Sequence, residues 1–219
     1  MSRNRSVSLS SDIFSPLNSN KPLLPFCCIL FLLLSPKMLA QVPRAGFYES
    51  GLTISYDPLS RMIRGSYEDY SGWDEELKLP MFSCVFMFEA KAEGKEMDIK
   101  SFFPGEEDSL FIPGRLQILS SEKITLQLRE SPGGCSAAAR LADTAMVFSI
   151  SEALPFIGLK YVNADEAFFY AEPDEKKKEK SYLVRNDLVG VLEINGAWVR
   201  VLYQGDQRKI GWMRAEDLR

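Results

Sequence analysis

Residues 182–218, YLVRNDLVGVLEINGAWVRVLYQGDQRKIGWMRAEDL, alternate apolar and polar side chains between closely spaced turn signals. That is the period of short β-strands. Asn195-Gly196 is the strongest hairpin signal in the chain, because both residues accept positive φ in a type I′ turn. The strand after it places Trp198, Arg200 and Leu202 on one face and Val199, Val201 and Tyr203 on the other. Gly205-Asp206 turns the chain again, Ile210 to Met213 forms a last strand, and Arg214 to Leu218 ends in a single helical turn.

The period of two continues upstream. Leu52, Ile54 and Tyr56 alternate with Thr53 and Ser55, and Asp57-Pro58-Leu59-Ser60 turns into a second strand over Met62–Tyr67. Phe82, Cys84, Phe86 and Phe88 share one face of a strand whose other face carries Met81, Val85 and Met87, so it is expected near the sheet centre, buried on both sides. Glu93-Gly94 leads into Met97–Phe103, with Met97, Ile99 and Phe103 on one face. Leu116–Leu119 and Ile124–Leu128 form a hairpin through residues 120–123. After Pro132-Gly133-Gly134-Cys135, Ser136–Ala142 reads as a short helix, and Ala145–Ile150 as a closing strand. Seven or so strands joined by short turns predict an all-β chain: an antiparallel barrel or sandwich over residues 42–150, a linker at 151–158, and a small barrel over 159–219. The linker is short and carries Leu154, Phe156 and Ile157, so the two domains are expected to touch.

Composition excludes much chemistry. The chain has no histidine, which removes the usual general base, the Ser-His and Cys-His pairs and the commonest transition-metal ligand. There is no G-x-S-x-G and no dinucleotide fingerprint, and Gly133-Gly134 precedes Cys135 where a P-loop needs Lys. No catalytic residue, cofactor or metal site is expected. Glu68, Asp69, Asp74, Glu75 and Glu76 cluster around Gly72-Trp73 and read as a solvated loop. A calcium site or a carboxylate-based hydrolase are the alternatives at that cluster.

Residues 23–34 form an apolar run of about a dozen residues after Lys21-Pro22, too short to span a bilayer and followed by a small residue at Ala40. This is the pattern of a secretory signal peptide over residues 1–40, cleaved between Ala40 and Gln41. Lipidation at Cys27-Cys28 and a retained membrane anchor are the rival readings, the second being the one way in which a membrane becomes a partner. Residues 1–40 carry four basic residues and one acidic residue, so the mature balance is 22 basic to 29 acidic, a net charge of −7. Nucleic acid is repelled by such a chain. Cys84 and Cys135 are the two cysteines left after cleavage, and in an oxidising compartment they read as one disulfide.

Two resemblances add to this reading. Residues 46–51 (GFYESG), 82–90 (FSCVFMFEA), 102–107 (FFPGEE) and 129–138 (RESPGGCSAA) loosely resemble small secreted calycin-like barrels. Tyr170 before a charged loop, Tyr182-Leu183-Val184, Asn186–Val189, Asn195–Val201, Gly211-Trp212-Met213 and Leu218 resemble the bacterial SH3-like domain. The second resemblance implies a five-stranded barrel that acts as an extracytoplasmic binding or targeting module, in some members toward peptidoglycan. It makes Tyr170, Tyr182 and Trp198 the candidate binding residues. Trp198 and Trp212 also fit half-buried structure, and the run Lys176–Lys180 reads as a solvated loop tip that attracts carboxylates. The functional expectation is an exported, non-enzymatic binding protein, periplasmic or secreted, whose SH3-like module engages peptidoglycan or an envelope protein. An inhibitor or immunity protein against a cell-wall hydrolase is the first alternative, and the carboxylate-based hydrolase the second.

Overall fold

The computed structural model describes residues 42–106, 111–205 and 207–219. The signal-peptide reading, including Cys27-Cys28 and the Ala40–Gln41 cleavage, lies outside the described residues.

Among the described residues, eight strands close an antiparallel barrel in simple sequence order: β1 (Gly46–Tyr48), β2 (Leu52–Asp57), β3 (Met62–Asp74), β4 (Leu79–Lys91), β5 (Glu96–Phe102), β6 (Ile112–Ser120), β7 (Lys123–Leu128) and β8 (Met146–Ala153). Closure runs through β1, which pairs with β2 on one side and β8 on the other. Gly46 is required there: a Cβ at its φ of 144° would sit 2.0 Å from the Glu152 carbonyl oxygen. Alternate side chains fill the barrel. Tyr67, Phe86, Phe88 and Phe148 are fully buried, and Tyr67 stacks on Phe86 at 5.3 Å between ring centroids. The Phe88 ring occupies the space that a Cβ on Gly65 would take. The barrel interior is therefore a packed core.

β3 and β4 are each 13 residues long and outrun their neighbours. β2 leaves β3 at the Leu52–Tyr67 pair, and β5 leaves β4 at Met87–Phe102. Beyond the Glu68 backbone bond to Gly51, the two strands pair only with each other among the described residues as far as Val85, forming an arm. The acidic stretch expected as a loop is thus strand as far as Asp74. Beyond Tyr67 neither face of β3 meets the core, so solvent-facing polar residues interrupt the apolar alternation that marks a strand. Met87 is buried as expected for a two-sided strand, but Met81 lies 59% exposed on the arm. In β5 the buried face is Met97, Ile99 and Ser101; Phe103 lies past the strand end and 41% exposed. The helix α1 is shorter than expected, Cys135–Ala138.

A second antiparallel sheet follows, with β9 (Gly158–Tyr161), β10 (Ala167–Tyr170), β11 (Lys178–Leu183), β12 (Leu188–Asn195), β13 (Trp198–Gln204) and β14 (Arg208–Arg214) in the order β11-β10-β14-β13-β12-β9. Its core holds Phe169, Val189, Val191, Val199, Val201 and Met213. The Asn195–Trp198 pair closes the hairpin, so Gly196 and Ala197 are its central residues. Only Gly196 has positive φ, at 58°. This is the pattern of a type II′ turn, which needs glycine at its first central place, and it replaces the expected type I′. The lysine run is half strand: Lys178 opens β11 and follows a single 3-10 turn, Glu175–Lys177.

The expected linker loses its first three residues to β8, which extends to Ala153. The described residues form one compact unit. The joint has its own buried cluster of Met87, Phe156, Leu159, Tyr161 and Leu202. Gly190 permits it, because a Cβ there would fall 2.1 Å from the Phe156 ring. The backbone N–H of Tyr56 donates to the Phe156 carbonyl at 3.0 Å, and the Ser66 and Tyr161 hydroxyls meet at 3.0 Å in the buried joint.

Candidate functional site

The three expected binding residues lie on one face of the second sheet but in different surroundings. Phe169 points into the core, so its neighbours Phe168 and Tyr170 point outward. Tyr170 pairs in register with Trp212, and its ring meets Trp198 edge-on at 4.7 Å. That pair is covered. The Arg214 guanidinium lies over the Trp198 ring at 5.7 Å and bridges to Glu175 and, at 2.6 Å, to Glu216. The Tyr170 hydroxyl donates to Glu175 at 3.5 Å, leaving Tyr170 6% exposed. Tyr182 stands apart from this clasp. It is 46% exposed and packs on Phe168 at 5.5 Å, while the Lys178 ammonium sits 3.3 Å from the Phe168 ring centroid. Phe168 was not among the expected contacts, although it aligns with Tyr170 at the two-residue strand spacing.

Cys84 and Cys135 form the expected disulfide, with an S–S distance of 2.06 Å. Both residues are fully buried. The bond ties α1 to β4 at the base of the arm, and Gly134, at φ 81°, brings the loop to within a Cβ's width of the Ser83 carbonyl. The arm itself is strongly apolar on its surface. Tyr70 is 54% exposed, Trp73 59%, Leu77 63%, Leu79 47%, Met81 59% and Phe82 47%. Its tip is held locally: Asp74 accepts from the backbone N–H groups of Glu76 and Leu77 at 2.8 Å, and Lys78 pairs with Glu75 at 3.0 Å.

The carboxylates of this stretch do not converge. Asp74, Glu75 and Glu76 occupy the tip, whereas Glu68 is at the arm's root, where its backbone N–H donates to the Gly51 carbonyl at 3.0 Å. Among the described residues no three acidic or cysteine side chains are placed to hold a metal ion. Glu68 instead lines a cleft of about 770 Å³ between the barrel and the second lobe, with Tyr70 beside it and Asp187 among the residues from the second lobe. Burial raises the Glu68 carboxyl above its usual range; the Tyr70 hydroxyl, which donates to it, opposes the rise and the like charge of Asp187 adds to it. Burial also raises the Tyr161 hydroxyl and lowers the Lys160 ammonium, the latter helped by Arg64.

The chain matches no protein-family model, no curated protein and no solved structure.

Proposed function

We propose that the chain is an exported, non-enzymatic binding protein of the cell envelope that grips a partner protein with the β3–β4 arm. The observation that carries this reading is the exposure of Trp73, Leu77, Leu79, Met81 and Phe82 on a projecting strand pair. Monomeric soluble proteins rarely leave so many large apolar side chains uncovered on one strand pair, and aromatic anchors dominate protein interfaces. The disulfide at the arm's base supports the assignment to an oxidising compartment and limits the order that the arm must gain on binding. In this reading the second lobe is an SH3-like module, whose Tyr182–Phe168 surface with Lys178 faces a carboxylate-bearing wall component.

The test is an envelope pull-down with the intact mature protein, a Trp73→Ala, Phe82→Ala variant and a Tyr182→Ala variant. The arm variant should lose the captured protein, and Tyr182→Ala should lose co-sedimentation with wall sacculi. Equal capture by the wild type and the arm variant would sink the reading.

A second reading has its own support. The acidic tip of Asp74, Glu75 and Glu76 beside the apolar arm suits insertion into the substrate cleft of a cationic wall hydrolase, as an inhibitor or immunity protein would do. Protection of sacculi from a captured hydrolase, lost in the arm variant, is the expected result. A captured partner without hydrolase activity removes this reading. The carboxylate-based hydrolase gains nothing from the stretch at residues 68–76, since Asp74 and Glu75 are engaged in the tip turn.

A further inference from the structure

The cleft between the lobes shares Tyr70 with the arm but none of Trp73, Leu77, Leu79, Met81 or Phe82, and its chemistry is specific. One wall carries Phe47, Glu68, Tyr70 and Phe103 from the barrel; the other carries Asp187 and Leu202 from the second lobe. The charged group acting on Glu68 is Asp187, of like sign. Glu68 is half-buried and held by the Tyr70 hydroxyl, while Asp187 is fixed by accepting from the Val184 backbone N–H at 2.8 Å. Arg219 is engaged at the rim, donating to Asn186 Oδ1 at 3.0 Å and to the Pro104 carbonyl at 3.5 Å. An anion is repelled from such a cleft. A hard divalent ion needs more converging oxygens than the described residues bring together. A monovalent cation with an apolar body satisfies both the carboxylates and the walls, and tyrosine faces favour it further.

We propose that this cleft binds a primary amine carried on an aliphatic stem, with the ammonium between Glu68 and Asp187 and the stem against Phe47 and Leu202. A lysine-type side chain and a free aliphatic diamine share this chemistry. Phe47 is itself braced edge-on against Phe156 at 5.5 Å, so the apolar wall belongs to the rigid joint. Such a ligand touches both lobes at once, and its binding opposes any opening of the joint.

Calorimetric titration of the mature protein tests this with three probes: Nα-acetyl-lysine N-methylamide, cadaverine, and the same lysine derivative acetylated at Nε. At least one of the two amines should bind saturably and the Nε-acetylated probe should not. Binding of the lysine derivative alone assigns a side chain as the source; binding of cadaverine alone assigns a free diamine. Glu68→Gln and Asp187→Asn, which keep shape and hydrogen-bonding capacity, should each weaken binding about tenfold or more. Near-UV circular dichroism from the tryptophans verifies that the variants fold, and Tyr70→Phe provides an independent variant with a smaller loss. The proposal is overturned by equal binding of the Nε-acetylated probe, by affinity unchanged in Glu68→Gln, or by the absence of saturable heat with either amine. Release of reducing sugar from wall glycan by the wild type but not by Glu68→Gln would also overturn it, making the two carboxylates a catalytic pair.

Discussion

Removing the disulfide by Cys84→Ala with Cys135→Ala should loosen the arm before it unfolds the protein. The bond closes a loop with a sequence separation of 51. In the chain-entropy model a loop of that length contributes about 4 kcal/mol by restricting the unfolded chain. For a folded unit of this size, 1 kcal/mol moves the midpoint by about 2–4 °C, so Tm should fall by about 8–16 °C. The local effect follows from topology. Between Asp69 and Val85 the arm's strands pair in register with each other and with no third strand among the described residues, and the disulfide is the covalent brace to α1. Amide exchange at Ser83 to Val85 and at Cys135 to Ala139 should therefore accelerate under conditions where Phe88 and Leu126 remain protected. Urea unfolding followed by tryptophan fluorescence gives the global figure, and hydrogen exchange read by mass spectrometry gives the local one. A loss of less than about 1 kcal/mol, or uniform acceleration through the barrel, would refute the view that this bond staples an otherwise weakly held arm.

Other perturbations have definite expected outcomes. Gly65→Ala forces a methyl group into the Phe88 ring and should cost about 1–3 kcal/mol in urea unfolding, whereas Gly196→Ala meets open space and should cost only through its positive φ. Glu68 has a folded value raised above its ordinary 4.5, so the native state disfavours its charge. Stability attached to that group is present at low pH and is lost as pH rises from 4.5 through the folded value. Glu68→Gln should consequently gain stability relative to wild type across that window and show little difference below it; a difference that does not vary with pH would contradict the burial argument. Glu152 and Arg208 join the two lobes through two contacts of 2.8 and 3.0 Å, but both are more than a third exposed. Glu152→Ala should cost no more than about 1 kcal/mol, and less at 1 M salt, with a salt-independent loss of several kcal/mol counting against a surface pair.

Where burial is one-sided and regular, the sequence alone was enough. Ile124-Leu126-Leu128 mark a strand because one face meets the core and the other is partly open to water. Leu52 and Ile54 alternate with Thr53 and Ser55 in the same way, although those two small polar residues are buried as well, and the turn at residues 57–60 ends that strand. The same logic misses β1: three residues cannot display a period, and Gly46 is there for close approach to β8, not for packing. It also misreads residues 68–74, where pairing continues after the core has ended. The placement of the candidate residues on the sheet was partly legible. Tyr170, Trp198 and Tyr182 do share a sheet face, but the arginine that covers two of them comes from β14, and nothing local to Tyr170 announces Arg214. Glu68 was visible as one acid among five. Its separation from the others depends on the second lobe, which supplies Asp187 and the cleft wall.

The joint sets what the second lobe has left to offer. On β12 and β13, Leu188, Gly190, Leu192 and Leu202 lie on the side facing away from that lobe's own core, and there they meet Met87, Phe102 and Phe156. One half of the sheet's outer surface is thus used to hold the barrel. The other half, over β10, β11 and β14, carries the aromatic residues, and the Arg214–Glu175 bridge closes the part nearest β13. A ligand approaching that sheet meets Tyr182, Phe168 and Lys178 at its β11 edge, not the tryptophans. The arm and this edge belong to one compact unit, so a partner engaging both would bind them at fixed spacing, without the entropy cost of ordering a flexible linker. On the proposed reading the joint, with Phe156 and Gly190 in it, would set the geometry of binding as well as contribute to stability.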